Sequence, residues 1–506
     1  MKLCILAAGL CSRMGYLSEN IPKGLLPLGD RPIISYIIEK VDSSVPIVVA
    51  VGYKAHLITQ FCTAAYPDRQ FQFVHIHDYS SPQSGPGYSL LQCKPFLQEP
   101  FYLSTSDDIV TNSLPSLDCN WIGVEFTDLP TLYSTAKLDD NNNVVAFINK
   151  DRNGYDNAFI GLAGIKDYEI YWKELERVCP TNKEFVDAWI NTKIYPTLKG
   201  RKFDWYNMGI VDNYIQVKKR FDELGMPKTT GDYTYHVDNR IIKIFQNHQH
   251  ASDRVVRSQY LSNVPSTTQH SPHVISYEYI QGQTLYESTL DGRKEFIDWC
   301  FSHLWQPTDQ QIPKTKIIDF YQQKTFQRVK DFLNKKPAHY TKPKTINGIA
   351  TPSIYELLHK INWEAIHTIK PTFFWHGDLQ FENVINNHRI FYLIDWRDSF
   401  AGDLIGDIYY DLGKLYGGLT LPYYLLRNTD NFSISIEENV GQFVLPSNSN
   451  KELIKHLQDR VEQHGFDMPK IKLMAALIQL NMCPLHQYPL DDFLFLYSIF
   501  KLNTLL

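Results

Sequence analysis

From Lys2 to Ser104 short apolar runs alternate with longer amphipathic ones, and this alternation constrains the fold more than any other feature of the chain. Lys2 to Ala8 reads as a buried strand, Pro32 to Val41 as a helix and Pro46 to Val51 as a second strand. Ala55 to Ala65 follows as a helix, then Phe71 to Ile76 and Phe101 to Ser104 as extended segments. Strands separated by helices pair in parallel, because the crossover that returns the chain to the same side of the sheet is itself a helix. The expectation is an α/β N-terminal domain, doubly wound, with a mostly parallel sheet. Sheets of that kind bind ligands beyond the carboxyl ends of their strands, and the loops after Ala8 and Ser104 lie there.

A chain of 506 residues is too long for one hydrophobic core, so two or three domains are expected. Tyr214 to Leu224 reads as a helix, which Gly225-Met226-Pro227 breaks. The segment from Tyr233 to Ile244 then alternates like a β-hairpin, with Tyr233, Tyr235 and Val237 on one face. The pattern divides the chain into residues 1–224 and 225–506. A formal net charge of -5 gives no basic surface for nucleic acid. The eight cysteines are scattered, without a CxxC pair, as in a chain that keeps its thiols reduced. No apolar run reaches the roughly 18 residues of a membrane span, and the terminal LDDFLFLYSIFKLNTLL reads as a buried helix. A cytoplasmic protein is expected, with its oligomeric state left open.

The first strand runs into Leu6-Ala7-Ala8-Gly9-Leu10-Cys11-Ser12-Arg13, and Pro22-Lys23-Gly24-Leu25-Leu26-Pro27 follows. Ala7, Ala8 and Gly9 let the backbone approach a nucleotide closely, so that loop N–H groups cradle its phosphates. Arg13 and Lys23 bring the positive charge that a pyrophosphate leaving group needs. The whole pattern resembles the nucleotidyltransferases that join nucleoside triphosphates to sugar 1-phosphates or phosphocholine. The resemblance covers roughly residues 1 to 220 and implies that Gly9, Ser12 and Arg13 hold the triphosphate while Lys23 contacts a substrate phosphate. It also implies that Asp107, in Thr105-Ser106-Asp107-Asp108, binds Mg²⁺, and that the stretch around Gly87 contacts base or substrate. Where that family has a second acidic metal ligand, this chain reads Trp205-Tyr206-Asn207-Met208-Gly209, so Asn207 offers a carbonyl oxygen but no charge.

Farther on stands Trp375-His376-Gly377-Asp378-Leu379-Gln380-Phe381-Glu382-Asn383, followed by Leu393-Ile394-Asp395 and then Gly406-Asp407 and Asp411. Phosphoryl transfer needs a carboxylate near the acceptor hydroxyl and oxygen ligands for Mg²⁺, and this run supplies both. It resembles the aminoglycoside and choline kinases, relatives of the protein kinases, over about residues 226 to 500. The resemblance implies an α+β C-terminal domain, protein-kinase-like and two-lobed. Asp378 becomes the catalytic base, with Asn383 and Asp395 as Mg²⁺ ligands. His376, Asp407 and Asp411 are read as structural. Lys243 is the expected partner of the ATP phosphates, under a turn at Thr229, Thr230 and Gly231. Glu278 and Ile280 lie in the expected hinge. The helix glutamate that should pair with Lys243 is missing, and Gln259 is a poor stand-in.

A kinase makes a phosphate monoester and a nucleotidyltransferase consumes one, so the two resemblances imply consecutive steps. The expected co-substrates are ATP and CTP, or another nucleoside triphosphate, with Mg²⁺ in both domains. The expected acceptor is an amino alcohol, polyol or sugar, and the expected product a donor for decorating surface polysaccharide. A sugar kinase joined to a sugar-1-phosphate uridylyl- or guanylyltransferase is the alternative. A reading of another class makes one half a non-catalytic binding module. With 31 Tyr and 28 Phe, aromatic content does not argue for a cage around choline.

Overall fold

A computed structural model of the chain describes residues 1–82, 84–179, 198–221 and 232–506. They form two compact units, Met1–His248 with Thr268–Tyr277, and Gln249–Thr267 with Glu278–Leu506. The division expected at 224/225 and the turn at Thr229–Gly231 lie outside the described residues.

The first unit is built on a nine-stranded sheet. Its parallel half comprises β1 (Lys2–Ala7), β2 (Ile47–Val51), β3 (Phe71–His75) and β4 (Phe101–Thr105). The spatial order is β3-β2-β1-β4, so the winding reverses between β1 and β4. Parallel registers place Leu6 beside Thr105 and Ala7 beside Val51. Every residue from Leu3 to Ala7 is buried, because helices and loops cover both faces and leave no solvent side for alternation to mark. Among those helices, Ala55–Ala65 buries Leu57, Ile58, Phe61, Cys62 and Ala65, the stripe expected from its sequence period. The strands Asn120–Phe126, Ser134–Leu138, Val144–Asn149 and Asn157–Ile165 extend the sheet beyond β4 with antiparallel pairings, and Leu198–Lys202 adds the ninth strand parallel to Asn120–Phe126.

The hairpin that the sequence pattern locates is present as Tyr233–Val237 paired with Arg240–Ile244. It packs into the core of the first unit, where Tyr235 sits edge-on to Phe61 with ring centroids 5.4 Å apart. The Tyr235 hydroxyl donates to the Leu25 carbonyl, and the His236 N–H donates to the Asp30 carbonyl at 2.7 Å. A tyrosine suits this place because its ring fills the core while its polar end satisfies a loop carbonyl.

The second unit is mainly helical, with Ile408–Thr420 and Met468–Met482 packed closely and Leu490–Leu505 laid against the latter. Gly413 permits the first contact, since a Cβ there would stand 3.0 Å from that of Met474. The terminal helix is buried, as its sequence suggests. Among the described residues no helix is long and apolar enough to cross a membrane.

Arg257 is fully buried in the second unit, on the helix His248–Ser258. It donates to the carbonyls of Phe373 at 2.7 Å, Leu404 at 3.0 Å and Trp375, and its guanidinium lies 4.4 Å from the centre of the Trp375 ring. Burial pulls its pKa down to about 10. In the stretch searched for a helix acid the residue that matters is thus a cation, which fixes the chain entering the His376 loop. Arg257→Met leaves three buried carbonyls without their donor. A loss of about 3 kcal/mol is expected in the urea unfolding of the second unit.

Candidate functional site

The reversal of winding between β1 and β4 leaves a cleft of about 250 Å³ at their carboxyl ends. Leu6, Ala7, Ala8 and Gly9 line one side, and Thr105, Ser106 and Asp107 the other. A Cβ at Gly9 would meet nothing within 4 Å, so the space above its backbone is open. Gly85 and Pro86 also line the cleft, where proline opens the helix Pro86–Cys93. Gly87 is buried one residue farther in and does not face the cleft.

Lys23 crosses the cleft mouth to Asp107, with Nζ 2.5 Å from Oδ2. Burial alone would raise the Asp107 pKa. The Lys23 ammonium, helped by Arg13, instead holds it below the ordinary aspartate value. Arg13 and Ser12 are exposed in the 3-10 segment Ser12–Ser18, which kinks at Gly15. Cys11, which sequence reasoning passed over, adopts left-handed backbone at φ 58°, and its Sγ accepts from the Lys23 N–H at 3.4 Å. It thereby ties the loop after β1 to the lysine loop.

Asp108 has a different task. Its carboxylate accepts from Thr105 Oγ1 at 2.8 Å and from Trp205 Nε1 and Asn207 Nδ2, both at 2.7 Å. Burial and the neighbouring Asp107 charge push its pKa up to about 7. Asp108 therefore holds the short ladder between Asp108–Val110 and Trp205–Asn207, and so positions Asn207. Asn207 Oδ1 and Asp107 Oδ2 face one small volume, for a Cβ on Gly209 would lie 3.3 Å from the first and 3.2 Å from the second. Among the described residues no three His, Cys, Asp or Glu side chains gather to hold a metal. One carboxylate and one carbonyl fit Mg²⁺ only when phosphate oxygens complete the shell.

In the second unit His376-Gly377-Asp378 forms a braced loop. The His376 and Gly377 N–H groups each donate at 2.6 Å to the Asp411 carboxylate. Gly377 lies at φ +84°, and a Cβ there would come 2.4 Å from the Trp375 ring. His376 Nδ1 accepts from the Asp378 N–H at 3.1 Å, so Nε2 carries the proton that faces the Ile394 carbonyl at 2.8 Å. Burial drives its pKa down to about 4, which keeps the ring neutral. Asp407 caps the helix Ile408–Thr420 through the Tyr409 N–H. The structural readings of His376, Asp407 and Asp411 agree with these bonds.

Asn383 Nδ2 donates to the Asp378 carbonyl at 2.8 Å and to Asp378 Oδ2 at 3.3 Å, which leaves its carbonyl oxygen for a cation. Val384–Asn387 pairs with Ile390–Leu393, and the Ile394 N–H donates to the Asn383 carbonyl at 2.9 Å. Asn383 and Asp395 therefore stand at one end of this hairpin, with Asp395 in left-handed backbone at φ 59°. The donor set is hard oxygen, which suits Mg²⁺ with bound phosphates.

Sequence reasoning missed Lys414, whose Nζ lies 2.8 Å from Asp378 Oδ1. Partial burial would raise the Asp378 pKa, yet Lys414 holds it at about 2. The only signal was a lysine one turn beyond Tyr410 on the helix Ile408–Thr420, three residues after Asp411. Lys243 is buried in the first unit, with Nζ 5.9 Å from the centre of the Tyr277 ring. Glu278 is exposed and Ile280 half-buried, both in the second unit.

Residues 3–114 match the family model of the MobA-like NTP transferase domain. The bifunctional protein GlmU of Methanococcus aeolicus is 29% identical over 215 residues, which are 41% of this chain and 50% of that protein. The UTP–glucose-1-phosphate uridylyltransferase AglF of Haloferax volcanii is 30% identical over 116 residues, 22% of this chain and 46% of that protein. The chain spans about half the length of these curated relatives. A solved structure of CTP:phosphocholine cytidylyltransferase from Streptococcus pneumoniae aligns at 18% identity and a TM-score of 0.38, covering 44% of this chain and 99% of that one. With the loop at residues 6–13 and the Lys23–Asp107 pair inside the matched segment, the N-terminal part of this chain carries a MobA-like NTP transferase domain.

Proposed function

We propose that the chain is a bifunctional enzyme, which phosphorylates a small hydroxylated metabolite with ATP and then joins that phosphate to a nucleoside monophosphate. The observation that carries the reading is a repeated arrangement, an aspartate on a loop neutralised by one lysine, as Lys23–Asp107 and as Lys414–Asp378. Each aspartate has an amide-bearing neighbour, Asn207 or Asn383, close to its carboxylate. Consecutive chemistry follows, because the monoester made at Asp378 is the class of substrate consumed at Lys23.

At the first centre an oxygen of the phosphate monoester attacks the α-phosphorus of a nucleoside triphosphate, and pyrophosphate leaves. Lys23 exchanges Asp107 for the substrate phosphate, and Arg13 offsets charge on the departing pyrophosphate. The backbone of Ala7, Ala8 and Gly9 sets the distance of approach. At the second centre Asp378 orients the acceptor hydroxyl. A carboxylate held at about 2 is a weak base, so it takes the proton late, once the bond to the leaving group has loosened. Asp107 and the Asn207 carbonyl at one centre, and Asn383 and Asp395 at the other, would hold Mg²⁺, which would supply positive charge against the phosphates.

CTP with an amino alcohol or polyol is one version of this reading. The alternative with a sugar 1-phosphate gains support from the names of two relatives, the uridylyltransferase above and the D-glycero-alpha-D-manno-heptose 1-phosphate guanylyltransferase of Campylobacter jejuni, 23% identical over 157 residues. Incubation with ATP, each of CTP, UTP and GTP, Mg²⁺ and a panel of alcohols and sugars decides between them, with mass spectrometry detecting the nucleotide conjugate.

Lys23→Met is expected to slow pyrophosphate release from a supplied phosphate monoester by about 10²- to 10³-fold without changing ADP formation. Asp378→Asn is expected to do the converse. Loss of both activities in either variant would contradict two separate centres. Lys414→Met tests the charge pair at the second centre. The partly buried Asp378 carboxyl then titrates above its ordinary 3.8. The rate of ADP formation gains an acid limb near about pH 5, where the parent enzyme has none from this group above about pH 4.

A further inference from the structure

Three further basic side chains, Lys324, Arg328 and Arg397, gather near Lys414, the partner of Asp378. Lys324 Nζ lies 3.9 Å from the centre of the Phe320 ring, and the Arg397 guanidinium carbon lies 5.1 Å from the same centre. Arg397 also reaches the Tyr410 hydroxyl, with Nη1 3.3 Å away. Tyr410 stands one helical turn before Lys414, and its ring packs on Phe320 at 5.3 Å. Arg328 lies one turn after Lys324 on the helix Lys324–Leu333, and donates to the Asn481 carbonyl at 2.8 Å. All four cations are half-buried. Lys414 is paired with Asp378, whereas Lys324, Arg328 and Arg397 form no ion pair with a carboxylate among the described residues.

Like charges in a partly dry region repel, and aromatic faces offset only part of the cost. The repulsion registers on Lys324, whose pKa burial and then Arg397, Arg328 and Lys414 bring down to about 6. An anion that joins the group favours its charged form, restoring the Lys324 proton. The group is a poor place for the quaternary ammonium of choline.

We propose that the acceptor phosphorylated at Asp378 carries an oxyanion, a carboxylate or a phosphate ester, besides its reacting hydroxyl, and that Lys324, Arg328 and Arg397 hold that oxyanion. The inference rests on reading Asp378 as the phosphoryl-transfer centre. The acceptor hydroxyl oxygen bonds to the γ-phosphorus of ATP, and the bond from that phosphorus to the β,γ-bridging oxygen breaks. ADP leaves, and the hydroxyl proton passes to Asp378 and then to water. The anchored anion brings the hydroxyl to Asp378 and keeps the Lys414 charge from being the sole attraction.

The full chain is tested with matched probes: glycerol, glycerate and glycerol 3-phosphate; glucose, glucuronate and glucose 6-phosphate; ethanolamine and choline. ADP release and calorimetric binding are measured for each. The expected result is that an anionic member binds at least about tenfold more tightly than its neutral parent. Arg328→Met should remove that advantage and Arg328→Lys should restore part of it. The ranking of glycerate against glycerol 3-phosphate, or glucuronate against glucose 6-phosphate, tells carboxylate from phosphate. Lys324→Met provides the same readout if Arg328→Met does not fold. Preferential phosphorylation of neutral or ammonium-bearing probes overturns the inference while keeping the kinase. Anion-selective binding that Arg328→Met abolishes, without ADP from any probe, keeps the anion site and overturns the kinase reading. Equal binding of all probes overturns the inference outright.

Discussion

Lys23 and Asp107 are 84 positions apart in the chain, yet their charges meet at 2.5 Å across the mouth of a cleft. The contact forms only because β1 and β4 lie side by side, in a register that brings Leu6 opposite Thr105. A mostly buried carboxylate without this lysine would face an uncompensated desolvation cost of several kcal/mol. The pair therefore links the order of strands to the state of the site. It also keeps the mouth of the cleft close to neutral.

The second unit solves the same electrostatic problem with different parts. There the aspartate sits on a loop that the Asp411 carboxylate grips through two backbone N–H groups, and the lysine comes from the helix bearing Asp411 itself. Lys414 and Asp411 are three residues apart, so one helix both shapes the loop and sets its charge. What differs is the balance nearby. Around Lys23 and Asp107 the charges nearly cancel, whereas beside Lys414 stand Lys324, Arg328 and Arg397, none of them in an ion pair among the described residues.

Pattern and partner are separate questions, as the hairpin from Tyr233 to Ile244 illustrates. Alternation located its two strands and identified Tyr233, Tyr235 and Val237 as the buried face. It did not say that this face meets Leu25, Phe61 and their neighbours in the first unit. Period-two alternation records that one side of a strand avoids water, and it is silent about which apolar surface covers that side. The helix expected from Pro32 to Val41 shows a related limit at its ends. It spans Ile33–Ile38, because the Lys40 N–H bonds back only three residues, to the Ile37 carbonyl, and the last turn tightens before Val41.

By itself the sequence determined the strand–helix alternation of the first unit, the loops at the ends of β1 and β4, and the chemical types gathered at Asp107 and Asp378. Such features depend on neighbours a few residues away, and local spacing records them. Tertiary structure alone decided that Asp108 braces Asn207 while Asp107 faces Lys23, that Arg257 rather than an acid anchors its helix, and that Lys414 pairs with Asp378. The reason is physical: the ionisation and role of a side chain follow from the charges and dipoles within a few ångströms of it, and in these sites they come from segments far apart in the chain.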